Sequence, residues 1–566
     1  METLSNTQSN EISPREDPEV AMSSELDRDS VCAPIRSLEE LANTLTNPPQ
    51  WLKHLKDRVV RSPTIVQNSS LNCHKTNRNI GNIVKRFDSY LTPKTLVCHD
   101  MKNGYLDDRY LAGYPRGNGY TFFRWAQIDI FVYFSHHFIT VPPLAWINKA
   151  HANGVKILGT IITENDGGKL LCEGFLKDYK KFADDLIQLA LIYKLDGWLL
   201  NIENELETTD SMKKFVSYIT ENIHASIPES MIIWYDSVIE DGKLSWQNEL
   251  NEKNRCFFDV CDGIFLNYTY KEHNLFKSYL NAQHRVMDVY VGIDVFGRNT
   301  YGGGKFNCHI AAEKIRMLNM SIAIFAQGWV HETLQPEPQD TFHERFMHKD
   351  NSFWRSLWPF LYTHPINTLF NTSFYIGTDK NQYALHEQEL QLSRYLHNKN
   401  ICDYDLSVSN LTNQCNCMQL HTENDNATCV LTKNNDSLAY FHQLFICDIQ
   451  LNGKYILYTA TKAVDESTND LINLILLLRQ TGTIRKIVCN AIETEGPEDN
   501  ISLQQIKPII DGIRIDSPYR NVSDATFRYY ELHVKNPCRL LEISAEIVKG
   551  NSVELRAIGI SKLKEK

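Results

Sequence analysis

Between residues 95 and 330 the chain repeats one pattern eight times, a short apolar run rich in β-branched and aromatic residues followed by a more polar stretch. The runs are Thr95–Cys98, Ile128–Ser135, Val155–Thr163, Gly197–Glu203, Met231–Ser237, Gly263–Tyr268, Val289–Phe296 and Ser321–Trp329. Most are apolar at every position, as strands covered on both faces must be, whereas a strand with one wet face alternates. Several of the stretches between them, clearest in Phe175–Lys194 and His309–Leu318, repeat apolar residues every three or four positions, the period of an amphipathic helix. Eight strand-helix units in about 236 residues predict an α/β fold, a (β/α)8 TIM barrel.

The runs also end alike. Each stops at groups with chemical use: His99-Asp100, Ser135-His136, Thr163-Glu164, Asn201 with Glu203, Tyr235-Asp236, Asn267-Tyr268, Asp294, and Gln327-Gly328-Trp329. One such residue is an ordinary loop polar group as often as not. All eight together mark the carboxyl end of the barrel, where active sites of this fold lie.

The fourth run, LDGWLLNIENEL, carries most of the chemistry. Side chains alternate along a strand, so Asn201 and Glu203 project together with Gly197 and Leu199, while Trp198, Leu200 and Ile202 point the other way. Glycoside cleavage usually takes two carboxylates, but in substrate-assisted enzymes the 2-acetamido group of an N-acetylglucosamine residue replaces the protein nucleophile. An amide beside one acid suits that variant. Glu203 would donate a proton to the leaving oxygen, and an aromatic pocket without an adjacent cation would raise its pKa to that end. Asn201 would accept from the acetamido N–H and aim its oxygen at the anomeric carbon. Neither role needs a metal or cofactor, and none is expected.

Net charge of −11 and a pI near 6.0, without a basic stripe, favour neither nucleic acid nor an anionic membrane surface as partner. Residues 1–40 read as a disordered polar tail and not a signal peptide. The longest purely apolar run elsewhere is Leu474–Leu478, far short of a membrane span. The fourteen cysteines are scattered, mostly within apolar runs, and read as buried free thiols. Together these features predict a cytosolic protein, and the sequon Asn267-Tyr268-Thr269, closing a core strand, agrees. Cys402, Cys415, Cys417, His421 and Cys429 hold zinc-type ligands without the spacing of a structural site. Gly302-Gly303-Gly304-Lys305 resembles a phosphate loop, but Phe306 stands where Ser or Thr would hold magnesium, so a flexible loop beside a sugar site is expected.

Residues 41–365 are assigned to the barrel. From 366 to 566 the texture changes to short runs set apart by Asn, Asp, Gly and Pro: Ser437–Ile449, Lys454–Thr459, Ile484–Ile492, Ile509–Ile515, Ala525–Val534, Arg539–Val548 and Val553–Ile560. Strand spacing without helical periods predicts one or two C-terminal β-sandwich modules, as a structural buttress first and an accessory sugar-binding surface second.

LDGWLLNIENEL, IIWYDSV, CDGIFLNYTY, VYVGIDVFGR, FAQGWVHET and LVCHDMKNGYLDDRYLAGY resemble the cytosolic endo-β-N-acetylglucosaminidases of glycoside hydrolase family 85 over roughly residues 80–335. The resemblance implies a barrel with β-sandwich modules behind it, and cleavage between the two N-acetylglucosamines at the base of N-glycans, free or on misfolded glycoproteins. It implies that Glu203 is the general acid/base, Asn201 the amide orienting the acetamido group, Tyr235 the support of the oxazolinium intermediate, and Trp246 an aromatic wall. Asn267, Tyr270, Asp294, Trp329, Asp100, His136 and Glu164 are expected to bind substrate, and Trp125, Trp246 and Trp329 to offer faces for sugar stacking. Tyr270 stands where the family often has Trp, Asn165 follows Thr163-Glu164 where Trp is common, and Gln327 replaces a frequent Pro. Two alternatives stay open: a chitinase-like hydrolase, disfavoured because Asn201 sits where such enzymes place an acid, and a catalytically silent glycan-binding barrel.

Overall fold

The computed structural model describes residues 31–68, 85–111, 119–334, 342–372, 374, 418–423, 426–432, 441–463, 472–489, 501–506, 525–548 and 552–563. All eight expected barrel strands are present: β1 (Thr95–His99), β2 (Ile130–Tyr133), β3 (Lys156–Glu164), β4 (Gly197–Glu203), β5 (Met231–Tyr235), β6 (Gly263–Leu266), β7 (Val289–Asp294) and β8 (Ser321–Phe325). Each pairs in parallel with the next, and β8 pairs with β1, so the sheet closes on itself. Several strands are shorter at the carboxyl end than expected, because the closing polar residues turn out of the ladder into the loops that make the site. After β8, Ala326 takes a φ of +59° and Trp329 opens a short helix.

The alternation read in β4 separates two cores. Leu199 packs inside the barrel with Ile162, Ile233 and Phe265. Trp198, Leu200 and Ile202 face outward into the larger core beneath the helices. There Phe138, Phe175, Phe182 and Phe215 stack in succession, with Phe175 and Phe182 centroids 4.4 Å apart. Phe175–Lys194 is not one helix: Asn165–Leu176 and Tyr179–Tyr193 meet at Lys177-Asp178, where the Asp178 carboxylate accepts from Lys181 N–H and starts the second helix. Gly197 has a φ of +141°, and a Cβ there would overlap the Met231 carbonyl, so only glycine lets β4 lie against β5.

The amino end of the barrel is held by a device repeated three times. Asp129, Asp196 and Asp262 each precede a strand, and each carboxylate accepts the N–H at the start of a neighbouring strand, from Thr95, Ile157 and Ile232 at 2.7–2.9 Å. Each also meets a histidine: His364, His151 and His224 at 3.0–3.1 Å. Backbone donors that strand pairing leaves unfilled are thereby satisfied.

Residues 31–40 belong to this structure and not to a disordered tail. Ile35 exchanges two backbone hydrogen bonds with Ile139, and the helix Leu38–Thr46 is capped by Ser37. Residues 1–30 lie outside the described residues, as do Cys402, Cys415 and Cys417 of the zinc-type cluster. Among the described residues no group of three metal-ligating side chains occurs, ten cysteines are free thiols, and no helix is long and apolar enough to cross a membrane.

Beyond the barrel lies one connected antiparallel sheet, built from β9 (Met418–Glu423), β10 (Asn426–Thr432), β11 (Phe441–Ala463), β12 (Ile472–Gln480), β13 (Thr483–Cys489), β14 (Ile501–Ile506), β15 (Thr526–Ile547) and β16 (Ser552–Lys562), with the two-residue strand Asn371–Thr372 paired to β16. The described part of Ser437–Ile449 and Lys454–Thr459 merge into β11, as Ala525–Val534 and Arg539–Val548 largely merge into β15; Ile509–Ile515 lies outside the described residues. Bulges join the halves of β11, with register shifts at Gln443/Phe445, Ile446/Ile449 and Leu451/Gly453 that bend the strand without ending it. Two polar contacts tie the sheet to a small antiparallel sheet under the barrel. Arg86 donates to the carbonyls of Cys447 and Leu541, and Asp448 accepts from Ser62 and from Arg539.

Candidate active site

The carboxyl end of the barrel opens into a cavity of about 270 Å³. Its floor is the top layer of the barrel interior: Cys98, Phe134, Ile162, Leu199, Phe265 and Phe325. Its polar lining comes from the loops. Asn201 and Glu203 stand side by side there, as strand alternation requires, with Asn201 only 3% exposed. The Glu203 carboxyl is held above the ordinary glutamate range, first by burial and then by the negative charge of Glu164; contacts from Asn201, His136 and Trp246 pull the other way. The group is thereby biased towards the protonated form an acid catalyst needs.

Tyr235 leaves the end of β5 and donates its hydroxyl to the Asn267 side-chain oxygen at 3.0 Å. The Asn267 amide nitrogen donates in turn to Asn248 at 2.9 Å. Both ends of the Asn267 amide are therefore engaged within the protein, so it braces Tyr235 as well as lining the cavity. Asn248 belongs to the loop that carries Trp246, which stands 41% exposed on the cavity wall. Asp236, fully buried, anchors that loop by accepting from the backbone N–H of Gln247 (3.2 Å) and Asn248 (2.7 Å) and from the Asn254 amide (3.0 Å). Burial pushes the Asp236 carboxyl up to about 6 against those donors. It supports the wall and does not line the cavity.

Asp100 and His136 also line the cavity. Glu164, expected to bind substrate, is not among the lining residues; it stands behind His136, whose Nδ1 is 3.2 Å from its carboxylate. Burial raises the Asp100 pKa, opposed by His136 and Arg298.

Three further expected substrate-binding residues stand elsewhere. Asp294 is fully buried, gripping Arg298 through two hydrogen bonds of 2.9 Å, so Arg298 is the group that reaches the cavity. Tyr270 is buried and stacked on Tyr301 with centroids 6.0 Å apart, and Tyr268 lines the cavity instead. Trp329 is buried edge-on against Phe306, with the Lys349 ammonium 4.3 Å from its ring centroid. Trp125 is wholly core, packed on Phe122 and Phe131. The glycine run 302–304 packs on the turn that presents Arg298, fastened by Lys305 N–H to Val295 C=O. Sequence reasoning missed Arg298, and it marked Tyr268 as a strand-end group without giving it a substrate role. Arg298 had a weaker signal, a cation one turn beyond a strand-terminal acid.

Residues 104–390 match the profile of Glycosyl hydrolase family 85. The chain belongs to this family. It is 44% identical over 304 residues to the cytosolic endo-beta-N-acetylglucosaminidase of Gallus gallus, covering 52% of this chain and 41% of that protein. It is 46% identical over 292 residues to the protein of that name from Mus musculus, covering 50% and 39%. The family 85 chain thus spans about two fifths of the length of these relatives. Among solved structures it is similar to the Endo-D glycoside hydrolase domain from Streptococcus pneumoniae R6, with a TM-score of 0.62 and 13% identity over 95% of this chain and 84% of that one. That likeness is one of fold.

Proposed function

We propose that this chain is an endo-β-N-acetylglucosaminidase that cuts the β-1,4 bond of the N,N′-diacetylchitobiose core of N-glycans, leaving one N-acetylglucosamine on the asparagine side. The carrying observation is the pair on β4: a glutamic acid biased towards its protonated form and an amide two positions earlier, both lining the cavity, while the carboxyl in register on β3, Glu164, is not among the lining residues and faces His136. A retaining glycosidase with a protein nucleophile places a second carboxylate about 5 Å from the first. Here Asn201 orients the substrate's acetamido group, whose oxygen attacks the anomeric carbon while Glu203 protonates the departing oxygen. Tyr235 supports the resulting oxazolinium ion, and Glu203, now a base, activates water to open it with retained configuration. Trp246, Tyr268, Asp100 and Arg298 would contact the sugars around that centre. The names of the relatives support an endo-acting β-N-acetylglucosaminidase and the cytosol as its place of work. The C-terminal sheet acts as a buttress, its bent β11 and β15 forming the corner of a sandwich.

Mass spectrometry of products from a mixture of asparagine-linked glycans tests the reading. Glycans ending in one N-acetylglucosamine, and peptides keeping the other, are expected. Release of the entire glycan, or of single terminal sugars, would refute it.

A further inference from the structure

Glu164 closes β3 in register with Glu203 at the end of β4. Residues in register on neighbouring parallel strands, roughly 4.8 Å apart, point to the same face, so the two carboxyls lie side by side. Like charges that close oppose each other's ionisation. On its other side Glu164 faces His136, whose Nδ1 lies 3.2 and 3.4 Å from the two carboxylate oxygens. The His136 backbone N–H is fixed by Asn103 at 2.6 Å, so the imidazole is presented from a held loop. The two side chains are 46% and 31% exposed, which gives them little part in the core.

We propose that Glu164 and His136 are a tuning pair for Glu203: the Glu164 charge keeps the proton on the catalytic acid, and His136 limits how strongly it does so. They act as positioning residues through Glu203 and form no bond to the reacting atoms. The inference rests on Glu203 being the acid. Burial and Glu164 favour its protonated form while His136 opposes it, which has the sense the geometry requires. The other ionisable groups facing the cavity are Cys98, Tyr235 and Tyr268, kept protonated by burial, with Asp100 and Arg298. The Arg298 charge is engaged by Asp294.

The test is the pH profile of kcat/KM on a core chitobiose glycan for the full chain and for Glu164→Gln, Glu164→Asp and His136→Gln, beside a direct titration of Glu203 by carbon-13 NMR, its signal assigned by loss in Glu203→Gln. Glu164→Gln should move the basic limb, and the Glu203 titration, down by roughly half to one pH unit. His136→Gln should move both up, and Glu164→Asp, which keeps the charge, should stay near wild type. Shifts of the same sign in Glu164→Gln and His136→Gln, or none beyond about 0.2 unit in either, overturn the tuning pair. A wild-type chain without cleavage at this bond would instead overturn the proposed function, and the NMR titration would still decide the pair.

Discussion

At the scale of single residues, the division of labour between Glu203 and Asn201 fixes two outcomes. Glu203→Gln keeps the shape of the side chain but has no proton to give, so turnover should fall by about 10²–10⁴-fold with the fold intact. Activity near wild type would move the acid elsewhere. Asp236 is a poor substitute, since it is sealed under the Trp246 loop, and Glu205 lies exposed outside the cavity. Asn201→Ala separates formation of the intermediate from its use. It should hydrolyse natural glycans poorly yet still transfer a preformed sugar oxazoline to an acceptor, because that step needs only Glu203 as base. Equal losses in both assays would mean a general binding defect and not a role in orienting the acetamido group. The two residues were legible in the sequence because alternation in a buried strand leaves little freedom. Asp294, Tyr270 and Trp329 were misplaced because they lie in loops or at loop junctions, where the period-2 rule lapses and a ring is as easily buried as presented. Tyr268 and Tyr270 show this: two residues apart, one lines the cavity and the other stacks on Tyr301.

At the scale of elements, strands were easier to place than their ends. The apolar runs mark what the barrel buries, but nothing local says where a strand leaves the ladder. The loop after β5 shows what that hides, because the acid at the strand end holds the wall rather than the substrate. Asp236 is raised in the folded state, from 3.8 to about 6, so it binds its proton more tightly folded than unfolded. Its contribution to stability is present below about pH 4 and lost as pH rises to about 6, on the order of 3 kcal/mol in all. Asp236→Asn should flatten that window in denaturation measured from pH 4 to 7. It also turns one acceptor into a donor facing backbone N–H groups, so it should cost about 1–3 kcal/mol at pH 7 and raise KM several-fold as Trp246 loosens. An unchanged pH slope in the variant would show that another group titrates in that window.

At the scale of the whole molecule, the barrel and the C-terminal sheet share one apolar core, with a few polar groups at its edge. The separation of a barrel from a β region was legible in the change of sequence texture near residue 370, but the joint was not, since Ser62, Arg86 and Asp448 are remote in sequence and unremarkable alone. Asp448 is nearly buried and is held below the ordinary aspartate range because the donors Ser62 and Arg539 outweigh the cost of burial. Its stabilising effect is therefore present above about pH 4, the unfolded value, and is lost as pH falls through the lower folded value. Asp448→Ala strips Ser62 and Arg539 of their acceptor and leaves Arg86, through two carbonyls, and the backbone of Ile366 to carry the polar contact. Arg539 is half exposed and keeps access to water, so the loss is chiefly that of hydrogen bonds at a buried acceptor, about 1–3 kcal/mol. Because one apolar core runs unbroken from the barrel helices into the sheet, the two should unfold together, seen as a single thermal transition lowered as a whole. The cavity lies at the opposite, carboxyl end of the barrel, so cleavage by the still-folded variant should stay within about twofold of wild type. A split into two transitions would mean that barrel and sheet each stand alone despite the core they share.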